Sequence, residues 1–142
     1  NKVFYFGSKY SECGLISLES EITMIKKVIN YYHALGIKFY YIPHRGDAGN
    51  KIEIIRGQTE VTIKRLKMPA ELYCVGATKL PMYIAAGYST ILTSLPKIFD
   101  CFNYTSFKLP MDKVPKRLVN EVNKEYSHLE KQGIKVIDIE EL

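Results

Sequence analysis

Four short segments carry side chains that could bind a phosphate or transfer a proton. Imidazole is the side chain best suited to proton exchange near neutral pH, and the chain has one in Pro43-His44. Gly87-Tyr88-Ser89-Thr90 offers two hydroxyls beside the free backbone N–H groups of a predicted helix start, which suits a phosphate. The carboxylate of Glu71 could accept two hydrogen bonds from a ribose diol, and that of Glu12 could act as a general base.

Each of these segments also has a purely structural explanation. His44 could be a surface loop residue, and Glu71 could be an ordinary acidic residue in the first turn of a helix. Ser89 and Thr90 could simply cap the helix that follows, because Ser and Thr are common N-cap residues. The residue types alone leave both explanations open.

Predicted strands and helices alternate along the chain and must position these segments. Apolar and β-branched runs predict strands, and apolar residues at helical spacing predict helices. The predicted strands cover residues 3–6, 38–42, 61–66, 82–86, 103–109 and 134–139. The predicted helices cover residues 20–35, 70–74, 91–99 and 115–132, with a short helical turn at 51–55 and with Pro96 kinking or ending the third.

This alternation predicts an α/β fold, a Rossmann-like, doubly wound, mostly parallel sheet with helices on both faces. Ligands bind such sheets beyond the carboxyl ends of the strands. We therefore expect functional residues in the loops after Phe6, Ile42, Leu66 and Ala86, which is where the four segments lie.

Several familiar motifs are missing from these loops. No GxGxxG follows a predicted strand, so the dinucleotide-binding fingerprint is absent. The loop over residues 46–51 contains two glycines and a lysine but lacks the GxxxxGK[ST] spacing of a phosphate-binding loop. No Cys/His group has zinc-ligand spacing, and we expect no metal.

Composition indicates one ordinary globular domain over residues 1–142. The three cysteines form no CxxC pair, which favours a reducing compartment, and no apolar run is long enough to span a membrane. The net charge of +5 arises entirely within residues 1–100. The densest basic cluster, Lys64, Arg65 and Lys67, is too small to predict nucleic-acid binding. An anionic ligand, an acidic membrane surface or a merely solubilising surface would each explain this charge.

Taken in order, four segments resemble the motifs of bacterial lipooligosaccharide sialyltransferases of glycosyltransferase family 52, with the bacterial polysialyltransferases as neighbours. Those enzymes share an acidic-acidic-Gly motif, a His-Pro motif and a Ser-Ser or Ser-Thr motif. The resemblance covers most of the chain and rests on the ordered set: FYFGSKYSECGLIS (4–17), YYIPH (40–44), PAE (69–71) and GYST (87–90). The chain departs from the pattern at Arg45, which follows the histidine, and at Cys13, which replaces the second acid.

The resemblance implies a role for each candidate residue. His44 would protonate or hydrogen-bond the phosphate of the departing CMP, which Ser89 and Thr90 would hold beside Gly87. The ribose hydroxyls would bind Glu71. Glu12 would be the base that deprotonates the acceptor sugar.

The resemblance also implies a GT-B fold, in which this chain is the C-terminal, donor-binding half of a longer enzyme. The donor would be CMP-sialic acid, used without a metal or other cofactor, and the acceptor a cell-surface glycan such as lipooligosaccharide. The whole enzyme would be cytoplasmic and peripheral at the inner membrane, whereas the isolated half would bind the donor without catalysing transfer. Two alternatives stay open, a GT-B donor domain for another nucleotide sugar and a non-catalytic nucleotide-binding or interaction module. A homodimer is also left open.

Overall fold

A computed structural model describes residues 1–58 and 60–142 and contains a six-stranded, all-parallel sheet. The strands lie in the order β3-β2-β1-β4-β5-β6. Their bounds are β1 Lys2–Phe6, β2 Lys38–Ile42, β3 Val61–Ile63, β4 Tyr83–Ala86, β5 Asn103–Lys108 and β6 Lys135–Asp138. The Rossmann-like, doubly wound α/β prediction is therefore confirmed.

Helices flank the sheet, and most of them match the predicted positions. Their bounds are α1 Leu18–Ala34, α2 Gly49–Arg56, α3 Ala70–Gly76, α4 Ile91–Ser94 and α5 Lys116–Lys131. The α4 helix is shorter than predicted: it ends at Ser94, and a 3₁₀ turn over Leu95–Lys97 contains Pro96. Proline has no N–H to continue the α-helical ladder, which explains the early end.

The winding of the sheet reverses between β1 and β4. The chain runs outward from β1 through β2 to β3, returns across the sheet to β4, and runs outward again to β6. The loops after β1 and β4 consequently leave the sheet in opposite directions, which opens a crevice at the carboxyl ends of these strands.

The two central strands lie in the core. Val3, Phe4 and Tyr5 of β1 are at most 1% exposed, and the last three residues of β4 are completely buried. Continuous apolar runs of this kind are typical of strands that are covered on both faces. Such burial fixes the ends of β1 and β4, and with them the loops that form the crevice.

Local signals explain the bounds of α1. The Ser17 side chain caps the helix by accepting a hydrogen bond from the backbone N–H of Ser20 at 3.0 Å. At the other end Gly36 has a φ of +72°, a left-handed conformation that favours glycine and ends the helix. Within the described residues, no helix combines the length and the apolar character that crossing a membrane requires.

Candidate functional site

A cleft of about 600 Å³ lies at the carboxyl ends of β1, β2 and β4. It brings together three of the predicted site residues, His44, Ser89 and Thr90. Its lining consists of Ser8, Leu15, His44, Tyr88, Ser89, Thr90, Thr93, Leu118, Glu121, Val122, Glu125 and Leu129. The cleft is open to solvent and has both hydroxyl and imidazole groups in its wall.

His44 stands in an exposed turn two residues after β2. Its Nδ1 accepts a 3.0 Å hydrogen bond from the backbone N–H of Gly46. A nitrogen that accepts such a bond carries no proton, so the neutral ring holds its proton on Nε2. The imidazole thus has Nε2 left to donate to a ligand in the cleft.

Ser89 and Thr90 precede the short helix α4. The Ser89 Oγ accepts a long, 3.3 Å hydrogen bond from the backbone N–H of Ile91, so part of the capping explanation is correct. The Thr90 side chain makes no capping hydrogen bond and is exposed. Both hydroxyls line the cleft and can donate to an anionic oxygen.

Gly87 directly precedes the cleft residues Tyr88 and Ser89, but it is buried and does not line the cleft. A Cβ added at Gly87 would stand 2.4 Å from the hydroxyl oxygen of Tyr10, which is far closer than real atoms approach. The absence of a side chain at this position is therefore explained by the packing of Tyr10. A direct contact between Gly87 and a nucleotide stays a prediction.

Glu71 lies outside the cleft lining, on α3. Its Oε2 accepts a 3.3 Å hydrogen bond from the hydroxyl of Ser94, the last residue of α4. This contact joins α3 to α4, the helix that directly follows Ser89 and Thr90. The ribose-binding role of Glu71 stays a prediction.

Glu12 lies in a network of hydrogen bonds and ion pairs. Its Oε2 accepts from the backbone N–H of Ala48 at 2.7 Å and lies 3.0 Å from Lys51 Nζ. Partial burial acts to raise the pKa of the Glu12 carboxyl, but hydrogen bonds from Ala48, from its own backbone and from Lys51 outweigh burial. The pKa is therefore lowered, and the carboxylate would have to leave these partners to act as a strong base.

Lys51, which bonds to Glu12 and to the carbonyl of the cleft residue Ser8, was missed by the sequence prediction. Its side chain is completely buried, and Nζ lies within 3.0 Å of carboxylate oxygens of Glu12, Glu21 and Asp47. Burial alone would lower the pKa of the ammonium, but hydrogen bonds to Asp47 and Glu21 outweigh it, and the pKa is raised. Lys51 is therefore charged at neutral pH and offsets part of a buried negative charge.

One signal in the sequence could have revealed this lysine. Within α2, Lys51 and Ile55 are separated by one helical turn and lie on the same face, and both are buried. The predicted helical turn began at Lys51, so this residue was treated as the first residue of the turn rather than as part of a buried helix face. A helix that begins at Gly49 places Lys51 on the apolar face.

The far wall of the cleft comes from α5, which sequence reasoning used only as a core element. Leu118, Val122 and Leu129 lie at helical spacing on one face of α5, and they form an apolar surface in the cleft. Glu121 and Glu125 lie beside that stripe and are exposed. These carboxylates can accept hydrogen bonds from hydroxyl or amino groups of a ligand.

Among the described residues, no group of three or more His, Cys, Asp or Glu side chains is arranged to hold a metal ion. In comparisons with known proteins, no protein-family model matches the chain, and no curated protein is significantly similar to it.

Proposed function

We propose that the chain is the donor-binding domain of a sialyltransferase-like glycosyltransferase that uses CMP-sialic acid. One observation carries the proposal: His44 is far in the sequence from Ser89 and Thr90, yet all three line a single cleft at the carboxyl ends of the strands. Doubly wound sheets bind their ligands in that place. The order of the four motifs along the chain supports the choice of nucleotide sugar.

The chemistry of sialyl transfer matches these side chains. The bond between the sugar and the CMP phosphate breaks, and the acceptor hydroxyl oxygen bonds to the sugar as it loses its proton. A proton on His44 Nε2 can stabilise the departing phosphate, and the hydroxyls of Ser89 and Thr90 can hold it. Glu12 is the proposed base, provided that it leaves Lys51.

The remaining partners follow from the same proposal. The acceptor is a glycan such as lipooligosaccharide, presented by a second domain of a GT-B enzyme. Exposed Met68, Leu72 and Val75, on or beside α3, lie next in the chain to a cluster of basic residues. An apolar surface near basic residues supports peripheral contact of a cytoplasmic enzyme with the inner membrane.

A non-catalytic nucleotide-binding module is the second candidate. Two observations favour it: Cys13 stands where the resemblance places an acid, and the carboxylate of Glu12 is held in ion pairing. Such a module would bind a nucleotide in the same cleft without transferring the sugar. Transfer measured in the longer protein separates the two candidates.

Thermal denaturation with a panel of nucleotides tests the proposal. CMP should raise the melting temperature more than UMP, GMP or AMP, because ligand binding to the folded state stabilises it. His44→Ala and Ser89→Ala should reduce this increase. His128→Ala and Ser127→Ala are matched controls, because both residues are exposed on α5 and lie outside the cleft. A larger increase with another nucleotide would select a different donor, and no increase with any would overturn the proposal.

A further inference from the structure

Hydrogen bonds between Asp47 and His44 hold the turn that carries His44. The Asp47 Oδ2 accepts hydrogen bonds from the backbone N–H of His44 at 3.0 Å and from the hydroxyl of Tyr41 at 2.7 Å. The backbone N–H of Asp47 donates to the carbonyl of His44 at 3.0 Å. The Asp47 side chain is fully buried, so its carboxylate oxygens are shielded from competing water even though His44 itself is exposed.

The second oxygen of Asp47 connects this turn to the rest of the site. Asp47 Oδ1 lies 2.9 Å from Lys51 Nζ, which also donates to the carbonyl of Ser8 at 3.0 Å. Ser8 itself lines the cleft. Lys51 thus joins the loop after β1 to the loop after β2, and the two loops carry adjacent parts of the cleft wall.

Close packing leaves little room for these loops to separate. A Cβ added at Gly7 would stand 2.2 Å from the hydroxyl oxygen of Tyr41 and 2.6 Å from Asp47 Oδ2. The backbone after β1 therefore lies directly against the Tyr41–Asp47 hydrogen bond. Movement of either loop would disturb the other.

We infer that Asp47 and Lys51 are positioning residues for His44: they hold the turn so that Nδ1 accepts from Gly46 and Nε2 alone is available to a ligand. The role of this arrangement in binding a nucleotide phosphate rests on the proposed function. The effect of Asp47 and Lys51 on the tautomer of the His44 imidazole does not, because the tautomer can be observed without any ligand. Neither residue needs to contact the ligand for this role.

Asp47→Asn is the variant that tests the inference. The amide has the shape of the carboxylate but only one acceptor oxygen, so it cannot serve both Lys51 and the turn. Glu53→Gln is the matched control, since it makes the same chemical change on an exposed side chain of α2. Tyr41→Phe removes only one donor to Asp47 and provides a second, milder variant if Asp47→Asn does not fold.

The first measurement is the imidazole ¹⁵N spectrum of His44, without ligand. The neutral wild-type ring should hold its proton on Nε2, and Asp47→Asn should populate both tautomers, whereas Glu53→Gln should not change the spectrum. Tyr41→Phe should change it in the same direction by a smaller amount. Unchanged tautomers in both Asp47→Asn and Tyr41→Phe would overturn the inference.

The second measurement is the affinity for CMP. Asp47→Asn should weaken binding roughly tenfold, which is the scale of one lost hydrogen bond to a charged group. In a His44→Ala background the same change should have no further effect, because the residue that it positions is gone. Equal weakening in both backgrounds would show a general structural effect and overturn the inference. Absence of CMP binding in the wild type would overturn the proposed function, and the ¹⁵N spectra would then decide the positioning role by themselves.

Discussion

The hydroxyl of Tyr10 donates a 2.7 Å hydrogen bond to the backbone carbonyl of Tyr88, and this bond joins the loops after β1 and β4. The two rings also pack with their centroids 5.5 Å apart. A doubly wound sheet opens its crevice where these loops diverge. In this chain Tyr10 is buried between these loops, and Tyr88 forms part of the cleft lining.

Gly87→Ala should destabilise the domain, because the new methyl group would overlap the Tyr10 hydroxyl. Overpacking of this kind costs about 1 to 3 kcal/mol of unfolding free energy. Urea denaturation measures the change, and Gly49→Ala is the control, since a Cβ there meets nothing within 4 Å. Equal stability of the two variants would contradict the packing explanation for Gly87.

Lys51→Met should strongly destabilise the domain, because it leaves buried carboxylates of Glu21 and Asp47 without their counter-charge. Removal of one partner from a buried ion pair costs about 3 to 5 kcal/mol. Arg56→Met breaks the exposed pair with Glu53 on the same helix and should cost less than about 1 kcal/mol. Chemical denaturation compares the two, and similar losses would show that Lys51 is not an essential counter-charge.

Acid should weaken the domain partly through Glu12. The folded-state pKa of its carboxyl is lowered, so its stabilising contribution is present above the usual value of 4.5 and disappears as pH falls through the lowered pKa. Glu12→Gln should therefore flatten the acid limb of a plot of unfolding free energy against pH. Glu19→Gln, at an exposed position in the first turn of α1, is the control. An acid limb of unchanged slope in Glu12→Gln would contradict the network around Lys51.

Alkali should unfold the domain before its buried tyrosines ionise. Burial raises the pKa values of Tyr5, Tyr41 and Tyr126, so the folded state favours their neutral form. The stability that depends on these groups is complete below the usual pKa of 10.0 and declines as pH rises above it. A pH titration that records tyrosinate absorbance and circular dichroism together should show these groups ionising only as the fold is lost. Normal titration in a folded protein would contradict this burial.

The fold class could be predicted from the sequence because most strands are short runs of apolar and β-branched residues. The predicted strand over 38–42 coincides with β2, and that over 3–6 differs from β1 by one residue. The third strand was predicted through residue 66 but ends at Ile63. It is an edge strand that pairs with β2 through Phe39–Tyr41. The backbone N–H of Lys64 donates the last hydrogen bond of this pairing, to the carbonyl of Tyr41 at 2.9 Å, so the ladder stops short of residue 66.

The site was less predictable, because it depends on contacts between distant segments. The rule that ligands bind at strand ends predicted functional residues in the loops after β2 and β4, and His44, Ser89 and Thr90 from these loops line one cleft. No local pattern indicates that Glu12 reaches the backbone of Ala48, or that Lys51 is enclosed by three carboxylates. Lysine is normally exposed, and only the tertiary structure shows the counter-charges that permit its burial.

An NMR titration with CMP tests whether the cleft binds the nucleotide, because it reports both binding and its location. We expect saturable shifts of the backbone and side-chain signals of His44, Ser89 and Thr90, with signals of the exposed Ser127 and His128 on α5 unchanged. No shifts at millimolar CMP in a folded sample would contradict nucleotide binding by this domain. So would saturable shifts confined to residues outside the cleft.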